Sequence, residues 1–141
     1  MDDAHTTLTA TVIVITFVVS LFFCISLWGL VKKIPRENQQ FPTWFVWLIL
    51  IPWFGFIFQC ILLPFGIPNA IKKTYSNNQE IIAYAELLFK VGLATVVLGL
   101  LGVLLRFHPL NDIAGGISIA LWITYWVMIV RFKYKYLKND Q

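Results

Sequence analysis

Four apolar runs dominate the chain: Leu8–Val31, Thr43–Phe65, Leu87–Leu105 and Ile113–Val130, with Lys90 the single charge among them. About 20 consecutive apolar residues cross the ~30 Å hydrocarbon core of a bilayer as a helix. In lipid a lone strand would leave its backbone groups unpaired, so the β-branched start of the first run is read as helix despite its leaning in water. The composition agrees, at 59% hydrophobic and 13% charged residues, where a soluble domain carries roughly a quarter charged. The expected fold is an all-α membrane bundle of four transmembrane helices. It makes residues 1–141 a single integral membrane domain with spans near 8–31, 43–65, 81–105 and 113–131. The connections are too short for a separate soluble domain.

The flanks set the class. Met1–Thr7 has Asp2 and Asp3 but no basic residue, so the first run is expected to be a retained helix rather than a cleaved signal. The net charge of +4 is not a nucleic-acid signature, because the basic residues lie beside the apolar runs, where they fix orientation and meet anionic headgroups. The tail from Arg131 alternates Lys133 and Lys135 with Phe132, Tyr134 and Tyr136, and reads as an interfacial anchor. Cys24 and Cys60 both fall inside apolar runs, without CxxC or metal-ligand spacing, so they are expected to be small buried hydrophobes.

Phe41–Pro68 decides the threading. It is almost wholly apolar and carries Pro42, Pro52, Pro64 and Pro68. Pro52 removes the helical hydrogen bond to Leu48, and Gly55 follows it. Two structures fit: one Pro-kinked helix that crosses, or a re-entrant hairpin turning at residues 52–55. With four crossings, six basic residues (Lys72, Lys73, Arg131, Lys133, Lys135, Lys138) oppose four (Lys32, Lys33, Arg36, Arg106). With a hairpin, nine stand against Arg106 alone, and the N-terminus lies outside. Backbone accounting points the other way, since a turn at bilayer depth leaves N–H and C=O groups unpaired unless protein covers them. The kinked crossing is the expected form and the hairpin its alternative.

Candidate functional positions are few. Ala85, Leu88, Gly92, Thr95, Gly99 and Gly102 recur at three- and four-residue intervals, and Gly116 with Ala120 makes a further small pair. Small residues let helix backbones approach closely, so Gly92, Gly99, Gly102 and Gly116 are expected to pack helices. Glu86 and Lys90 are four apart in the order that favours pairing and, with Gln59, are the candidate binding residues. His5 and His108 lie near the ends of runs, and His108 with Asp112 four residues on makes at most a loop acid-base pair of a kind any exposed loop can show by chance, so no metal or cofactor is expected. No nucleophile, zinc or phosphate-loop motif is present, so no enzyme is expected.

The expected function is therefore a small multi-pass membrane protein that interacts or assembles, as a scaffold or subunit, with the lipid bilayer and a second copy or another membrane protein as partners. The alternative is a small oligomeric transporter or channel using the Glu86–Lys90 pair. With no Asn-x-Ser/Thr sequon and no disulfide framework, the expected location is a bacterial cytoplasmic membrane.

Overall fold

The computed structural model describes residues 2–104 and 110–138. Among them the fold is all-helical. Helix α1 is Asp2–Val31, a 3-10 helix follows at Thr43–Leu50, and then α2 at Gly55–Ile61, a π turn at Leu62–Gly66, α3 at Ile67–Thr74, α4 at Gln79–Leu104 and α5 at Leu110–Tyr136. Four helical stretches, Asp3–Val31, Gly55–Thr74, Gln79–Leu104 and Asp112–Tyr136, are long and apolar enough to cross a membrane. Their outward faces are greasy throughout, with Leu8, Phe22, Leu87, Val103, Leu104 and Ile119 all exposed. That surface is consistent with an integral membrane protein.

The second apolar run is not one Pro-kinked helix from 43 to 65. It is a hairpin. The 3-10 helix is the first arm, and Gly55–Thr74 is the second, returning alongside it. The rings of Phe45 and Phe58 meet edge to face with centroids 5.0 Å apart. Phe41 packs on Gly66. Val46 and Leu62 line one small void of about 10 Å³. Gly55 lies so close to the carbonyl of Ile49 that no Cβ fits between them. At the tip Trp53 adopts φ +71° and is 93% exposed, a left-handed conformation that costs an L-residue roughly 1–2 kcal/mol.

The turn makes three hydrogen bonds of its own. Ile51 N–H donates to Leu48 O, Phe54 N–H to Pro52 O and Gly55 N–H to Ile51 O, at 3.2, 2.9 and 2.7 Å. Pro52 has no N–H to satisfy. The first arm makes i→i+3 bonds throughout and rises ~2.0 Å per residue. Its eight residues therefore reach roughly 16 Å, farther than the same length of α-helix.

The hairpin's open end, the end of α1, the start of α4 and the end of α5 share one pole. Gln39 Nε2 donates to the carbonyls of Val31 and Ile34 and caps α1. Asn78 Oδ1 accepts from the N–H groups of Glu80 and Ile81 and caps α4. Helices α4 and α5 run antiparallel: Tyr84 hydroxyl donates to Met128 O at 2.8 Å, and Ser118 hydroxyl to Thr95 O at 3.3 Å. Nine basic residues, from Lys32 to Lys138, gather at this pole.

The core lies on that side too. Leu27, Leu30, Leu63, Ile67, Ile71, Leu88, Ile129 and Phe132 are fully buried. The opposite half is open. Every residue of α1 from Asp3 to Val18 is exposed, although α1 packs closely on α5 nearer the basic pole, through Phe23 with Trp122 at 4.7 Å.

Candidate functional site

The small-residue seam of α4 faces inward. Ala85, Leu88, Gly92 and Thr95 are buried, and Gly99 and Gly102 are half-buried. A Cβ on Gly92 would sit 3.0 Å from both the carbonyl carbon and the oxygen of Leu63, and 3.2 Å from Pro64 N. A Cβ on Gly99 would meet the ring of Phe56 at 3.2 Å and Ser118 Oγ at 3.7 Å. These glycines therefore bring α4 against the second hairpin arm of the same chain. Gly116 is different. It is exposed, and nothing lies within 4 Å of the place its Cβ would take.

What Gly92 touches is the least regular helix in the protein. Pro64 and Pro68 stand four residues apart and each lacks a donor. The chain widens to a π turn, in which Ile67 N–H donates to Leu62 O. The next carbonyl, Leu63, would take the N–H of residue 68, and Pro68 has none. Tyr125 supplies the missing proton: its buried hydroxyl donates to Leu63 O at 2.7 Å. One turn of the second arm is thus pinned between a glycine of α4 and a tyrosine of α5. A carbonyl left unpaired in an apolar interior costs about 1–3 kcal/mol, which makes this bond a strong link between elements 62 residues apart in sequence.

The polar trio proposed from sequence is not brought together. Glu86 lies 3.6 Å from Lys72, across the α3–α4 turn, with both side chains part-exposed. The pair is therefore made with the neighbouring helix rather than with Lys90, which is exposed. Gln59 is half-buried one turn before Leu63. Since Leu63 packs on Gly92 and the two helices run antiparallel, Gln59 is level with Val96, ten residues or roughly 15 Å along α4 from Glu86. Arg106 and His108 lie outside the described residues. Among those described, no group of three His, Cys, Asp or Glu side chains converges.

Residues that the sequence reading passed over do converge at the basic pole, on the seam between α1 and α5. Trp126 Nε1 donates to Ser26 Oγ at 3.0 Å. One turn on, the Lys133 ammonium rests on α1 at Gly29, where a Cβ would lie 2.5 Å from Nζ. Lys33 Nζ reaches the opposite way and donates to Leu137 O at 3.0 Å. Each lysine thus sits at the carbonyl end of the other's helix, where the helix dipole is negative. Lys32 lies over the Trp28 ring, 4.9 Å from its centroid, a cation–π contact at the rim. Farther along α5, Glu80 takes contacts from both Lys135 and Tyr136.

No protein family, curated protein or solved structure matches the chain.

Proposed function

We propose that this chain is an integral membrane protein whose basic pole faces the cytoplasm, and that it acts as an assembly subunit. In this threading α1, α4 and α5 cross, the hairpin re-enters from the cytoplasmic side, and the start of α1 lies outside. The support for it is the gathering of nine basic residues where both hairpin arms end. Single cysteines at Gln40, Asn77 and Lys138 are expected to react with a membrane-impermeant maleimide from the same side of sealed vesicles. Gln40 labelled from the opposite side to Asn77 would refute the re-entrant threading.

The assembly reading rests on one observation, the exposed outer half of α1. Its residues from Asp3 to Val18 all stay exposed. The hydroxyls of Thr7, Thr9, Thr11 and Thr16 each donate to the carbonyl four residues back, so the helix presents a self-satisfied surface. Helices in lipid associate through such faces by close packing rather than by hydrophobic drive. The predicted partner is a second copy. Cysteines placed singly from Val12 to Val18, in a Cys60→Ala background, are expected to give oxidised dimers in vesicles at positions three and four apart. Absence of crosslinks, or an equal yield at every position, would overturn self-assembly through this helix.

A further inference from the structure

We propose that the α1–α5 seam at the basic pole is a binding site for the phosphate of an anionic phospholipid, held by Lys32, Lys33 and Lys133. Three observations place it there. The ammonium groups of Lys33 and Lys133 lie on one seam, each against the partner helix. Lys32 is stacked on Trp28, on the turn of α1 that carries Gly29. Beneath them the seam is aromatic, with Phe23, Trp122 and Trp126 in mutual contact. Basic pockets between transmembrane helices, with an apolar wall below, suit a lipid whose headgroup is anionic and whose chains run along the helices.

The charge at this pole is not spread evenly. Lys135 is occupied by Glu80, and Lys72 by Glu86. Lys33 meets a backbone carbonyl, Lys133 lies against α1 at Gly29 and Lys32 covers a ring, none of them in an ion pair among the described residues, and Glu37, in the loop that follows α1, is exposed. The seam therefore keeps its positive charge for a ligand. Gly29 is part of the design, since any side chain there displaces the Lys133 ammonium from the seam.

This inference rests on the membrane reading, and its test separates the two. The full-length protein is purified in a neutral detergent and titrated with phosphatidylglycerol or phosphatidylcholine, with bound lipid counted by native mass spectrometry. One phosphatidylglycerol is expected to be retained at lipid concentrations where phosphatidylcholine is not. A lysine near a membrane phosphate contributes roughly fivefold in affinity, so Lys32→Gln with Lys133→Gln is expected to weaken retention roughly twentyfold. Lys73→Gln with Lys138→Gln, the same charge removed elsewhere at the pole, is expected to change it less than threefold. Gly29→Ala, which keeps every charge, is expected to weaken retention several-fold while leaving the melting temperature of the lipid-free protein unchanged. Equal losses from the two double variants, no preference for the anionic lipid, or displacement by millimolar inorganic phosphate would each overturn the site. A protein that stays dispersed without detergent would instead overturn the membrane reading itself.

Discussion

Gly92→Leu is expected to abolish the folded monomer, whereas Gly116→Leu is expected to leave it intact. Both positions are glycines of small-residue patterns on long apolar helices, and sequence treats them alike. Their surroundings differ. At Gly92 the obstacle is main chain: the carbonyl of Leu63 and the nitrogen of Pro64, at 3.0–3.2 Å from a first side-chain carbon. Backbone held in a π turn by two prolines and a tyrosine has nowhere to go. Inserting methylenes into a packed site costs about 1–3 kcal/mol even where side chains can move. Here four carbons must be accommodated against rigid atoms, so the cost is expected to exceed that range. At Gly116 nothing lies within 4 Å, and a leucine would simply extend from the outer surface. The check is the monodisperse fraction in detergent together with the thermal midpoint. A Gly92→Leu protein that melts with the parent would show that α4 does not lie on the second arm.

The second large effect concerns Tyr125. Tyr125→Phe keeps the ring and its packing and removes only the proton given to Leu63 O. The orphaned carbonyl is expected to cost about 2 kcal/mol. The origin of the orphan is Pro68, and this gives a sharper test. Pro68→Ala supplies an N–H at the position where a continued π turn would donate to Leu63 O. In a Pro68→Ala background the Tyr125→Phe loss is expected to fall below about 1 kcal/mol, so the double-mutant cycle should show coupling of at least about 1 kcal/mol. Strict additivity would mean that the tyrosine acts through packing alone. Measurement is by reversible unfolding in mixed micelles.

Helix content was legible from sequence because run length in an apolar chain leaves few alternatives. The hairpin was half-legible. The distribution of Lys32, Lys33 and Arg36 favoured it, and the cost of a turn at depth argued against it. That cost was overestimated for a physical reason. Pro52 brings no donor, and the N–H groups of Ile51, Phe54 and Gly55 bond within the turn, so less cover from other helices is needed. The Tyr125–Leu63 bond was not legible, since no local pattern links a tyrosine to a carbonyl 62 residues away. The available hint was the pair Pro64 and Pro68, whose spacing leaves a carbonyl without a donor. The partner of Glu86 was missed because Lys90 is nearer in sequence, whereas the tight α3–α4 connection carries Lys72 within reach. The lysines of the α1–α5 seam were read as generic interfacial charge. Only the parallel docking of two helices a hundred residues apart sets Lys33 opposite Leu137 and Lys133 opposite Gly29.

The folded-back second run changes the parity of the molecule. Asp3 and Tyr136 end at opposite poles, because three long helices traverse the body and the remaining hydrophobic run returns to the pole it left. In the proposed threading, tags fused to the two termini would report from different compartments. Two copies joined side by side along α1 in a common orientation would then present both basic poles to one leaflet, giving the assembly a polarity across the membrane.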